Sequence, residues 1–123
     1  MARAIVVDDD KVVAVGVATL LRSQGHQSLT VPNAEFALEM IETGKFDLVI
    51  IDLNLGRGMT GLEMLRKLRQ NTNPVIAKIP AILHTANKDA AILRQCAELD
   101  VLYFQKGSPG FEELIELALK NYT

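Results

Sequence analysis

Asp47-Leu48-Val49-Ile50-Ile51-Asp52-Leu53-Asn54-Leu55, the stretch DLVIIDLNL, runs four consecutive branched aliphatic side chains straight into a carboxylate. A strand with one wet face alternates apolar and polar residues, whereas an unbroken apolar run of this length suits a strand covered on both faces. Working outward, similar runs occupy Ala2 to Val7 and Val101 to Gln105, and strand-like segments lie at Gln27 to Val31 and Ala81 to His84. With the central strand taken as Phe46 to Ile51, five strands alternate with five segments of helical period. That alternation predicts an α/β fold, a doubly wound five-stranded parallel sheet with five flanking helices, as one domain over residues 1–123.

The helices carry their own punctuation. Asp10 is an N-cap candidate for the first and Gly25 its stop, while Asn33 and Gly44 frame the second. Thr60 followed by Glu63 reads as a capping box, in which each side chain satisfies a backbone N–H left free at the helix start. Asn87 is the candidate cap of the fourth helix. Ser108-Pro109 reads as N-cap and N1 of the fifth, where the N–H that proline lacks would be unpaired in any case. Asn71 to Ile79, with Pro74, reads as the longest irregular connection.

Bulk properties exclude several classes of function. The net charge is −2 with acids and bases interspersed, which predicts no direct nucleic-acid binding. No apolar run approaches the roughly 20 residues that span a bilayer, and no leader-cleavage pattern follows Met1-Ala2-Arg3, so no membrane role and a cytoplasmic location are expected. Cys96 is the single cysteine, which rules out an internal disulfide and reads as helix packing.

In open parallel sheets, ligands bind beyond the carboxyl ends of the strands. At those ends stand Asp8-Asp9-Asp10, then Asp52, then Thr85-Ala86, then Lys106. Right-handed crossovers gather them on one edge. Carboxylates held together repel one another unless a cation compensates them. Hard oxygen ligands with no histidine or cysteine set point to Mg2+ rather than zinc. Such a pocket can receive a phosphoryl group, with Asp52 as nucleophile, Lys106 as counter-charge and Thr85 as hydroxyl donor. Taken singly, Asp10 reads chiefly as a helix cap, Asp8 and Asp9 as a turn, Thr85 as a strand residue and Lys106 as a solvated lysine. His84 reads as packing as readily as function, and His26 as a loop residue. Their joint placement at successive strand ends is the signal.

With those residues in view, the whole chain resembles the receiver domain of two-component response regulators. The resemblance is carried by IVVDDD at 5–10, DLVIIDLNL at 47–55, GLEML at 61–65, PAILHTA at 80–86 and YFQK at 103–106. It implies the flavodoxin-like strand order 2-1-3-4-5. It implies Asp52 as phosphoacceptor, Asp9 as direct Mg2+ ligand, Asp8 as a second acidic residue acting through water, and the Asn54 backbone carbonyl as a further metal ligand. Lys106 resembles the lysine that contacts the phosphoryl group, and Thr85 and Tyr103 resemble the switch pair of hydroxyl and aromatic ring. Two departures stand out. Gly107 follows Lys106 where many relatives carry a cis proline, and the loop Gly56-Arg57-Gly58-Met59-Thr60 lacks the usual proline and is one residue longer than the commonest form.

The implied partners are a histidine kinase or phosphotransfer protein as donor, and a downstream target protein or covalently linked output domain as receiver of the signal. On the first helix Val13, Val17, Leu20 and Leu21 form the core face, while Val12 and Val15 fall opposite, beside the acidic pocket, where they would dock a histidine-bearing bundle. On the last helix Phe111, Ile115, Ala118, Leu119 and Tyr122 share one side and Leu117 points away, a surface open to a homodimer or another target. Two rival classes use the same residues. A Mg2+-dependent phosphohydrolase would need an acid/base where Asn54 stands, and a receiver-like module that is never phosphorylated would have no use for the intact pocket.

Overall fold

A computed structural model of the chain describes residues 1–120. The elements run β1 (Arg3–Val7), α1 (Lys11–Ser23), β2 (Gln27–Val31), α2 (Ala34–Thr43), β3 (Leu48–Ile51), α3 (Gly61–Arg69), α4 (Pro74–Ala77), β4 (Ala81–Thr85), α5 (Ala90–Glu98), β5 (Leu102–Gln105) and α6 (Phe111–Leu119). The strands form one parallel sheet in the order β2-β1-β3-β4-β5, as the resemblance implies. Among the described residues the helices number six rather than five, because Asn73 caps a single turn at Pro74 inside the connection read as irregular. Four residues are too few to show a helical period in a sequence.

The two-residue repeat of a strand explains the layering. Ile5, Val7, Val49, Ile51, Ala81 and Leu83 face α2, α3 and α5 in the larger core. Their neighbours Ala4, Val6, Leu48, Ile50 and Ile82 face α1 and α6 in the smaller one. Every residue of β3 and β4 is buried, whereas the edge strands β2 and β5 are mostly half-exposed, so the apolar run at 101–105 belongs to an edge strand and not, as its pattern predicts, to one covered on both faces. Hence the run at 48–51 had to be apolar on both sides. Cys96 is packing, buried in the larger core.

The caps of the first three helices fall as read: Asp10 accepts from the N–H groups of Val12 and Val13, Asn33 from Phe36, and Thr60 and Glu63 form the reciprocal box. Two later ones are corrected. The Asn87 side chain accepts from the N–H of Asp89, and Asp89 in turn caps α5. Asn87 thus closes a turn before the helix instead of starting it. Gly110, not Ser108, precedes α6, and its φ of +94° breaks the backbone between Pro109 and Phe111, so the proline is not N1. Leu117 is exposed, as read, while Tyr122 lies outside the described residues.

Arg69, at the end of α3, ties the far edge of the sheet together. Its guanidinium donates to the carbonyls of Leu99, Ala77, Ile79 and Asp100. Burial pulls its pKa down against the opposing charge of Asp100. The Asp100 backbone sits at φ 55°, a left-handed conformation uncommon outside glycine. Arg69→Met leaves four carbonyls short of a donor and should cost about 2–4 kcal/mol in urea unfolding, and Arg69→Lys, which lacks the planar fork, should recover only part of that.

Candidate functional site

Strand register builds the site. Val7 pairs with Ile51, and the Asp52 N–H donates to the Val7 carbonyl at 3.0 Å, so Asp8 and Asp52 leave adjacent strands side by side. Thr85 pairs with Gln105, and the Lys106 N–H donates to the Thr85 carbonyl at 2.9 Å. A tight turn follows, closed by the Ser108 N–H onto the Gln105 carbonyl at 3.2 Å, with Gly107 at φ +85°. Proline, locked near −65°, cannot adopt that angle, so the glycine belongs to this turn shape.

The turn delivers Lys106 to the acids. Its Nζ lies 2.7 Å from Asp52 Oδ2 and 3.2 Å from Asp8 Oδ2. Asp8 and Asp52 are buried, Asp9 is exposed, and one carboxylate oxygen from each of the three lies within 4.8 Å of the others. Asp10 faces away as a cap. Burial raises the Asp8 pKa, opposed by the Asp10 N–H and by Lys106. Burial lowers that of Lys106, but its hydrogen bonds to and the charges of Asp52 and then Asp8 outweigh it and leave the ammonium raised. Lys106 is therefore a firm cation. Three carboxylates still face one ammonium, and a divalent ion with oxygen ligands suits the surplus negative charge.

Thr85 is buried beside this group, and Ala86 is exposed after it. Thr85 Oγ1 accepts from the Asn87 N–H at 3.3 Å, while Tyr103 Oη donates to the Asn87 carbonyl at 2.6 Å. The two ends of one peptide residue thus link the hydroxyl at the pocket to the half-buried ring, which also packs on the larger core. His84 lies among Phe104 and Phe111, stacked on the latter at 4.6 Å. Burial, then Lys106, lowers its pKa from 6.5 to about 4.

Asn54 follows Asp52 in the loop, its N–H donating to Asp52 Oδ1 at 3.4 Å. Gly61, in the stretch GLEML, has a role that the sequence analysis does not assign. A Cβ there would collide with the Asp52 carbonyl oxygen, so α3 can pack against the Asp52 peptide only through glycine. The signal available in sequence was a glycine at the first position of a capped helix, where it is otherwise a poor choice.

Comparisons with known proteins agree with this architecture. The sequence pattern of the family described as response regulator receiver domain matches residues 4–117. Sensory/regulatory protein RpfC of Xanthomonas campestris pv. campestris is 31% identical over 96 residues, covering 78% of this chain but 13% of that protein. The chain spans well under half the length of the curated relatives it matches. A response regulator receiver protein from Pseudomonas putida superimposes with a TM-score of 0.83 at 26% identity, covering 97% of this chain and 96% of that one. Response regulator protein TrrA from Thermotoga maritima, solved in complex with Mg2+–BeF, gives 0.80 at 31% identity over 98% of both chains.

Two measurements check this geometry. Gly61→Ala should cost at least about 1–3 kcal/mol, the range for overpacking, because the added methyl meets backbone. For His84, whose folded pKa lies below its unfolded value, stability is complete above about pH 6.5 and is lost as pH falls toward 4. Between pH 7.5 and 5.5 the wild type should lose about 1 kcal/mol more than His84→Leu in urea unfolding.

Proposed function

Since the chain belongs to the receiver-domain family of two-component response regulators, we propose that it accepts a phosphoryl group on Asp52 and signals by altered protein contacts. The observation that carries this reading is the Lys106 ammonium held between Asp52 and Asp8, with Asp9 alongside and Thr85 buried at the neighbouring strand end. Asp8, Asp9, Asp52 and the Asn54 carbonyl are the residues that would hold Mg2+. When bound, the ion supplies neutralisation of the charge on the incoming phosphoryl oxygens.

The remaining work falls to side chains. One carboxylate oxygen of Asp52 attacks the phosphorus of a phosphohistidine on the donor. A P–O bond forms as the P–N bond breaks, and the departing imidazole nitrogen keeps the electron pair and takes up a proton. Lys106, already beside Asp52, pairs with a phosphoryl oxygen, and Thr85 donates its hydroxyl proton to another. Thr85 and Tyr103 meet at Asn87, so a movement of the hydroxyl disturbs the same residue that holds the ring. Water hydrolysis of the acyl phosphate then restores the Asp52 carboxylate and releases inorganic phosphate. No external metabolite is turned over.

The donor is a histidine kinase or phosphotransfer protein. Val12 and Val15 are 82% and 61% exposed on α1, directly after the acidic segment, and offer it an apolar footing. The output is a separate target protein, an output domain on the same chain, or a second copy. The place where such a donor would meet this chain is the cytoplasm; no helix among the described residues is long and apolar enough to cross a membrane.

Incubation with acetyl phosphate and intact-mass measurement tests the reading. A single phosphoryl adduct should form with Mg2+, fail to form without it, and be absent from Asp52→Asn. No adduct under any condition, or an unchanged adduct on Asp52→Asn, would overturn it. Continuous turnover of a phosphate ester would favour the phosphohydrolase instead.

A further inference from the structure

The loop from Asn54 to Thr60 borders the acidic pocket and is intrinsically loose. Gly56 and Gly58 take φ values of +73° and +90°, and glycine loses more conformational freedom on ordering than any other residue. At its start Leu55 is buried, and at its end Thr60 caps α3. Between those anchors one side chain from another element holds the backbone. Glu35, in the first turn of α2, accepts from the Met59 N–H at 3.0 Å through Oε2. The same oxygen would lie 2.9 Å from a Cβ placed on Gly58, so the carboxylate sits flush against that glycine. On the other side of the loop, a Cβ on Gly56 would lie 3.4 Å from Asp9 Oδ2, which puts the loop backbone in contact range of a pocket carboxylate.

We propose that Glu35 is a positioning residue for the phosphoacceptor pocket: its carboxylate straps the loop at Met59, keeping Gly56 against Asp9 and the Asn54 carbonyl where it would help hold Mg2+. This rests on the receiver reading above and extends it to a side chain of α2 that touches none of the reacting atoms. The strap acts by reach, not by charge. A hydrogen bond from a fixed helix to a backbone N–H removes freedom that two glycines leave in the loop, and outer partners of this kind typically change metal affinity by about 10–100-fold.

Reach and charge separate cleanly in three variants. Glu35→Asp keeps the charge but withdraws the acceptor by one methylene, Glu35→Gln keeps the reach without the charge, and Glu35→Ala removes both. Calorimetric titration of the unphosphorylated chain with Mg2+ should show affinity weakened about tenfold in Glu35→Asp and Glu35→Ala and mostly recovered in Glu35→Gln. Hydrogen exchange of the Met59 amide should quicken in the same two variants and stay slow in the glutamine one. Urea unfolding confirms that each variant is folded, and the contrast between Glu35→Asp and Glu35→Gln carries the test should Glu35→Ala prove unstable. Wild-type affinity in all three, or a loss in Glu35→Gln matching that in Glu35→Ala with Glu35→Asp unaffected, would sink the strap. A wild-type chain that neither binds Mg2+ nor takes a phosphoryl group would instead sink the receiver reading itself.

Discussion

Two buried carboxylates, Asp8 and Asp52, share one ammonium, Lys106, at 3.2 and 2.7 Å. In a medium that screens charge poorly, removing the ammonium would leave two like charges facing each other, and removing either acid would leave less to hold the lysine. The three residues come from the ends of β1, β3 and β5, so the compensation works only if the strands keep their register. The sheet is built accordingly: β1 and β3 are nearly all apolar, and the Asp52 N–H bonds to the residue just before Asp8. The core thus sets the position of the charges, and the charges restrict what the strand ends may carry.

Around that centre the molecule divides into stiff and adjustable parts. The far edge of the sheet is bound by Arg69 through four backbone carbonyls. The pocket edge consists of short loops held by single hydrogen bonds. Asn87 joins Thr85 to Tyr103, the Gly107 turn aims Lys106, and Glu35 reaches across to Met59. A phosphoryl group on Asp52, as proposed, would meet a lysine shared by two acids and a threonine hydroxyl that holds one loop amide, so a small local event there can change a surface.

The acidic pocket was legible because its members stand at the ends of recognisable apolar runs, where a parallel sheet collects them. Asn87 reads in sequence as a helix cap, and its place between Thr85 and Tyr103 is hidden there, because Tyr103 lies 16 residues away in sequence. The caps of α5 and α6 went astray for a local reason: several residues in a row can cap a helix, and only backbone angles, such as that of Gly110, choose among them. Gly61 is an unfavourable residue for a helix start, and only the Asp52 carbonyl packed against it explains it.

By itself the sequence determined the alternation of strands and helices, the both-face burial of β1 and β3 and the set of groups gathered at one edge. Those follow from periodicity and from the handedness of the crossovers, which are properties of neighbouring residues and of L-amino-acid chains. Tertiary structure alone decided that Lys106 bridges two acids, that Gly61 must lack a side chain, that Glu35 holds the loop and that Arg69 ties the opposite edge. Each is a contact between segments far apart along the chain, set by distances of a few ångströms, and no local pattern of residues encodes a distance.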